Sequence, residues 1–148
     1  MIGLRRRQAH ARVILAADER AVLQMLTNLL TNAVKFTSKG GTVTIQIKPS
    51  QRIAGGVALA VHDSGGGIRP EDMGRVLESF AQGRHEVSSP EERGTGLGLP
   101  IVKALIETHG GQFELTSEFG KGTSAKLHFP PERFVSAHAA PLLTQAAG

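Results

Sequence analysis

Residues 18–41 read DERAVLQMLTNLLTNAVKFTSKGG. Asp18 is an N-cap residue type, able to accept hydrogen bonds from the first free N–H groups of a helix, and Thr37-Ser38-Lys39-Gly40-Gly41 is a breaker. The stretch between them is predicted to be one long helix. Val22, Leu23, Met25, Leu26, Leu29, Leu30, Ala33 and Val34 occupy most of its circumference, which predicts a wide core face. Against them Gln24, Asn28, Asn32 and Lys35 recur at spacings of four, four and three and share one narrow stripe. Asn costs a helix interior up to about 0.7 kcal/mol relative to Ala, so two of them call for a reason. An amide oxygen is a neutral hard ligand that can hold Mg²⁺ while the ion keeps its waters and phosphate oxygens. A lysine one turn further on adds a cation beside the same phosphates. The competing reading is a solvated polar face, and the helix alone does not separate the two.

Working outward, Ala11 to Ala16 is a short β-rich run ahead of the helix. Thr42 to Lys48 and Val57 to Asp63 alternate apolar and polar residues around Pro49 to Gly56, the pattern of a hairpin. Pro70 to Leu77 reads as a short helix, since Pro fits a first turn and Glu71 and Asp72 suit the positive helix N-terminus. Ala81 to Gly96 is polar, with almost no apolar periodicity, and reads as a mobile loop. Leu97 to His109 returns to helical spacing and closes at Gly110-Gly111. Gln112 to Thr116 and Thr123 to Phe129 are the last strands, and from Pro130-Pro131 the alanine-rich remainder is expected to form a flexible C-terminal tail, residues 131–148. This order implies an α/β (α+β) two-layer sandwich: a mixed, mainly antiparallel sheet of about five strands packed on one side by about three helices.

The chain has 148 residues and is 40% apolar, enough for one domain with one core. Without cysteine it has neither a disulfide framework nor a thiolate metal site, which suits a reducing cytoplasm. No apolar run approaches the roughly 20 residues needed to span a bilayer. The net charge of +4 hints at nucleic acid, but Arg5, Arg6, Arg7 and Arg12 lie in an acid-free leader, and from Val13 onward 13 basic residues balance 13 acidic ones. Aromatic residues are 4%, all Phe, so a stacking platform for nucleic acid is not expected.

Two glycine-rich turns carry further chemistry. Asp63 stands where a strand runs out, before Ser64-Gly65-Gly66-Gly67. A carboxylate there can accept a hydrogen bond from an exocyclic amine such as adenine N6, and glycines let a ring approach the backbone. An ordinary Asp-Ser-Gly turn is the alternative. Gly94-Thr95-Gly96-Leu97-Gly98-Leu99 opens a helix, so free N–H groups and the helix dipole would face a phosphate chain. It lacks the preceding strand and the G-x-G-x-x-G spacing of a dinucleotide-binding turn.

In this order the segments resemble the GHKL superfamily of ATP-binding domains with the Bergerat fold, and within it the catalytic domain of bacterial sensor histidine kinases. Five signatures carry the resemblance between about Ala11 and Pro130. Asn28 to Thr37 is similar to the N box, Asp63 to Ile68 to the first glycine box and Glu78-Ser79-Phe80-Ala81-Gln82 to the F box. Gly94 to Leu99 is similar to the second glycine box and Ser117 to Thr123 to the third. The resemblance implies ATP and Mg²⁺ as cofactors. Asn32 would hold the metal, with Asn28 beside it and Lys35 on the phosphates. Asp63 would select adenine, Gly65, Gly67 and Ile68 would admit it, and Thr123 would sit near it. Gly94, Thr95, Gly96, Leu97, Gly98 and Leu99 would form the phosphate cradle, and Phe80 would anchor a mobile ATP lid. In that lid Arg84, His85 and Arg93 are either solvated or reach the γ-phosphate.

The resemblance also implies a histidine phosphoacceptor on a separate dimerisation hairpin, and none of His10, His62, His85, His109, His128 or His138 has that context. Residues 1–12 would be a basic stub after the hairpin and 13–130 the catalytic domain. It is expected to be cytoplasmic and monomeric, to touch neither nucleic acid nor membrane, and to act upstream of a response regulator receiver domain. The relatives in which position 28 would be a water-activating glutamate hydrolyse ATP, whereas Asn28 cannot take a proton at neutral pH. The expected function is therefore transfer of the γ-phosphoryl to histidine. A degenerate domain serving as an interaction platform, a stand-alone ATPase and an anti-sigma type serine kinase are the alternatives.

Overall fold

The computed structural model describes residues 3–4, 11–82 and 98–139. Along them run β1 (Gly3–Leu4), β2 (Ala11–Leu15), α1 (Glu19–Phe36), β3 (Thr42–Pro49), β4 (Val57–Asp63), α2 (Pro70–Gln82), α3 (Gly98–Thr108), β5 (Gln112–Glu118), β6 (Gly122–Phe129), a 3-10 turn (Pro131–Arg133) and β7 (Phe134–Ala139). The main sheet has the order β1-β3-β4-β6-β5, parallel at β1–β3 and antiparallel elsewhere. The expected two-layer architecture and mixed, mainly antiparallel sheet are therefore found. Its fifth strand is Gly3–Leu4, however, and Ala11–Leu15 pairs with β7 in a separate two-stranded ribbon.

Helix α1 starts and stops where its caps dictate. The Asp18 carboxylate accepts from the N–H groups of Arg20 (2.9 Å) and Ala21 (3.2 Å), and the Thr37 hydroxyl donates to the Ala33 carbonyl. Ala21, Met25, Leu29 and Ala33, each four residues from the next, form its fully buried row. The core face is narrower than the apolar pattern suggests: Leu23 and Val34 remain 56% and 46% exposed. The buried row meets Val43, Leu59, Val61, Ala125, Leu127 and Phe129 of the sheet, and Val102 and Ile106 of α3 close the core. Each large side chain buried there contributes about 1.5–3 kcal/mol. Helix α3 ends in paired hydrogen bonds from Gly110 N–H to the Glu107 carbonyl and from Gly111 N–H to the Ile106 carbonyl, both 2.9 Å, as Gly110-Gly111 leads one to expect.

Three boundaries depart from the sequence reading. Helix α2 runs on to Gln82, so the first two residues assigned to the loop are helical; the remainder of that loop lies outside the described residues. The β5–β6 hairpin is longer than expected, reaching Glu118 and starting at Gly122. The tail does not begin at Pro131. Arg133 donates to the carbonyls of Ala16 (3.2 Å) and His109 (3.3 Å), and Ala16 N–H donates to the Arg133 carbonyl (2.7 Å). These bonds bring β7 alongside β2; residues 140–148 lie outside the described residues. Among the described residues no helix is long and apolar enough to cross a membrane.

The sheet face away from the helices holds a polar cluster. Glu114 accepts from Arg52 Nε (2.9 Å), Lys126 Nζ (3.0 Å) and His128 Nε2 (3.0 Å). Since Nε2 donates, Nδ1 of His128 accepts from the Ser50 hydroxyl at 2.8 Å, which pins the β3–β4 loop to β6. Burial pushes the His128 pKa down, with Glu114 opposing. Burial alone would raise the pKa of Glu114, but its bonds to Lys126, Arg52 and His128 and the Lys126 charge hold it at about 2, against an ordinary 4.5. A folded-state pKa below the unfolded one means stability present above about pH 4.5 and lost as pH falls toward 2. Glu114→Gln is expected to cost about 2 kcal/mol at neutral pH in urea unfolding, a difference that closes across that acid window. A difference independent of pH would contradict this assignment.

Candidate functional site

The inner sheet face is apolar until its last row. Val61, Ala125 and Leu115 are cross-strand neighbours, and one step further along β4, β6 and β5 the same face presents Asp63, Thr123 and Ser117. Asp63 and Thr123 lie at the end of a cavity of about 420 Å³ bounded by α1, α2, the start of α3 and the turn after β4, and Ser117 stands beside Thr123. That volume suits a nucleoside-sized ligand. Its walls are largely apolar, including Leu29, Ala33, Ile68, Leu99 and Leu115.

The Asp63 carboxylate organises this end. Its Oδ1 accepts from Gly65 N–H at 2.9 Å and Thr123 N–H at 3.3 Å. These bonds tie the glycine turn to the neighbouring strand, and among the described residues no hydrogen bond occupies Oδ2. At two of its three glycines the turn lies so close to other backbone that a side chain would force a shift. A Cβ on Gly65 would run into the Phe36 carbonyl, and one on Gly67, at φ +68°, would meet that of Glu118. Gly120 N–H donates to the Gly66 carbonyl at 2.7 Å and Ile68 N–H to the Ser117 hydroxyl at 2.7 Å, so the β4 turn and the β5–β6 turn are strapped together. Above them the Arg69 guanidinium stacks on Phe119, 5.1 Å from the ring centroid.

At the other end the polar stripe of α1 meets the first turn of α3. Asn28 Nδ2 donates to the Gly98 carbonyl at 3.3 Å. A Cβ on Gly98 would lie 3.6 Å from that of Asn28 and 3.9 Å from Asn32 Nδ2. The free N–H groups and positive dipole end of an 11-residue helix therefore adjoin the two amides, a setting for anionic oxygens.

Asn32, Asp63, Gly67, Ile68, Leu99 and Thr123 line the cavity; Gly65 and Gly98 support it through the contacts above. Asn28 adjoins the cavity through Gly98 and is not among its lining residues, and neither is Lys35, whose ammonium lies 5.7 Å from the Phe36 ring centroid. Phe80 is on the backbone of α2, its side chain outside the description; Gly94, Thr95, Gly96 and Leu97, with lid residues Arg84, His85 and Arg93, also lie outside the described residues. The sequence reading missed Phe36, Arg69, Asp72, Val76 and Phe119 as wall residues. Phe36 and Phe119 lie within the N box and the third glycine box, and Arg69 directly follows the first glycine box; Asp72 and Val76 carry no such local signal. Of the histidines, His109 is buried, with Nδ1 2.7 Å from the Leu105 carbonyl and Nε2 accepting from Asp18 N–H at 3.2 Å, and His128 belongs to the polar cluster.

Over residues 17–133 the chain matches the family of histidine kinase-, DNA gyrase B- and HSP90-like ATPases, and it belongs to that family. Among its relatives are histidine kinases. It is 38% identical over 129 residues to the cell-division control histidine kinase PdhS of Brucella canis, covering 82% of this chain and 12% of that protein. It is 41% identical over 115 residues to the non-motile and phage-resistance protein of Caulobacter vibrioides, covering 77% and 14%. The chain thus spans about an eighth of the length of these curated relatives. In structure it resembles full-length ShkA in complex with AMPPNP, with a TM-score of 0.62 and 34% identity over 86% of this chain and 24% of that one. It also resembles the catalytic domain of histidine kinase ThkA, with a TM-score of 0.59 and 28% identity over 79% and 72%.

The packing of the turns makes a direct prediction. A Cβ on Gly122, at φ +132°, would collide with the Asp63 carbonyl, whereas one on Gly120, at φ +82°, meets nothing within 4 Å. Gly122→Ala should destabilise by about 2 kcal/mol or more and Gly120→Ala by about 1 kcal/mol, read from urea midpoints. Equal losses would show that the close approach at Gly122 carries no weight.

Proposed function

We propose that the chain is a histidine kinase catalytic domain that binds Mg²⁺-ATP and delivers the γ-phosphoryl to a histidine on a separate dimerisation hairpin, for relay to a response regulator receiver domain. The observation that carries this reading is the cavity lined by both Asp63 and Asn32, beside which Asn28 meets the first turn of α3. Family membership and the AMPPNP complex of ShkA support it.

In this reading the open Asp63 oxygen accepts from the adenine amine while the apolar walls take the ring faces. The first turn of α3 and the second glycine box hold the phosphates, and Lys35 adds a cation from the far end of the stripe. Among the described residues no three His, Cys, Asp or Glu side chains cluster to hold a metal. The donors present fit an ion held by one amide oxygen, from Asn32 with Asn28 adjacent, together with phosphate oxygens and water. Such an ion would neutralise charge on the phosphates. The acceptor imidazole nitrogen then bonds to the γ-phosphorus as the bond to the β,γ-bridging oxygen breaks, and ADP leaves with that electron pair. Asn28 donates its amide to Gly98 and offers no base for water, which favours transfer over hydrolysis.

Asp63→Asn is expected to weaken ATP binding by about tenfold or more in calorimetric titration, with the urea midpoint changed little; undiminished affinity would remove the adenine assignment. Asn32→Asp should lower phosphotransfer to a supplied hairpin by about 100-fold, and wild-type rates would refute its place beside the metal. Absence of magnesium-dependent ATP affinity in the unsubstituted chain would favour the interaction-platform reading.

A further inference from the structure

Ser117 lies in the third glycine box, and its hydroxyl makes three hydrogen bonds. It accepts from Ile68 N–H at 2.7 Å, contacts the Gly122 carbonyl at 2.9 Å and contacts the Thr123 hydroxyl at 2.9 Å. A serine hydroxyl has one proton and two lone pairs. A carbonyl oxygen can only accept, so the Ser117 proton goes to Gly122. The Ile68 N–H takes one lone pair, and the other is left for the Thr123 hydroxyl, which must donate. The Thr123 proton is therefore committed to Ser117, and its own lone pairs are what it can offer to the cavity it lines.

Thr123 is the cross-strand partner of Asp63, whose Oδ1 already accepts from two backbone N–H groups. The polar end of the cavity thus presents acceptors from two neighbouring residues: the carboxylate oxygen that no described residue bonds and a hydroxyl held as an acceptor. We propose that Ser117 is a positioning residue for base selectivity: by fixing the Thr123 proton away from the cavity, it makes this end complementary to a 6-aminopurine and repulsive to a 6-oxopurine. This inference rests on the adenine reading of the cleft and adds the group that enforces it. A 6-oxo group places an acceptor where the amine has donors. Without Ser117 the Thr123 hydroxyl can rotate and donate to that oxygen, so the penalty against guanine or hypoxanthine falls.

The test is a double-mutant cycle read as the ratio of ATP to GTP and ITP affinities, measured on the wild type, Ser117→Ala, Thr123→Val and the double variant, with urea midpoints to confirm folding. In the wild type ATP is expected to bind more tightly than GTP and ITP. Ser117→Ala should lower that ratio by about fivefold to tenfold, mainly through tighter GTP and ITP binding, and should leave it unchanged when added to Thr123→Val. Tighter 6-oxopurine binding is a gain that a merely structural lesion would not produce. Equal weakening of all three nucleotides by Ser117→Ala, or an equal effect in both backgrounds, would overturn the positioning role while leaving the adenine reading intact. Absence of ATP preference in the wild type would instead remove the adenine reading and this inference with it. Should Ser117→Ala not fold, Thr123→Val keeps the proposal exposed: an unchanged ratio in that variant overturns it, and a lowered ratio supports it.

Discussion

One carboxylate oxygen, Oδ1 of Asp63, holds together the end of the molecule on which the site depends. It accepts from the glycine turn that follows its own strand and from the first residues of β6, and so fixes where two strands stop and how closely their turns approach. The turns contain glycine where backbone meets backbone, at positions 65, 67 and 122. A side chain at any of them would push the turns apart and open the polar end of the cavity. Among the described residues the second carboxylate oxygen has no partner, and it is the atom to which the proposed adenine contact is assigned.

The second constraint is the contact between α1 and α3. Helix α1 is fixed by its caps and by the buried row Ala21, Met25, Leu29 and Ala33, and this anchoring sets the direction of the amide stripe. Val102 and Ile106 bury α3 in the same core, which places its first turn against Asn28 and Asn32. Neither amide is positioned by the cleft itself. Both are carried there by apolar packing one helical face away, so this end of the cleft inherits the rigidity of the core.

Much of this was legible in the sequence. The caps of α1, the β3–β4 hairpin and the Gly110-Gly111 stop are local signals with local causes, and their boundaries agree to within a residue or two. Asn32, Asp63 and Gly67 could be singled out from their chemistry at a helix stripe and a strand end, and Ile68, Leu99 and Thr123 only from the family resemblance; all six line the cavity. What escaped is non-local. Strand β7 is formed by pairing with residues more than a hundred positions away, and Arg133 outweighs the stop signal of Pro130-Pro131 by bonding to Ala16 and His109. Ending β5 at Thr116 hid the fact that Ser117 is in register with Thr123 and Asp63. The stacking of Arg69 on Phe119 joins two turns that are adjacent only in the fold. Lys35 shares the stripe by helical spacing but not the cavity wall.

We propose that the amide stripe, the start of α3 and the Asp63 turn border one nucleotide cleft. Backbone amide chemical shifts of the labelled chain, followed during titration with ATP and Mg²⁺, test it most directly. Saturable changes are expected to concentrate at Asn28, Asn32, Gly65, Gly67, Gly98 and Thr123, with Glu114 and His128 on the opposite sheet face little affected. Changes centred on that opposite face, or no saturable change at all, would contradict it.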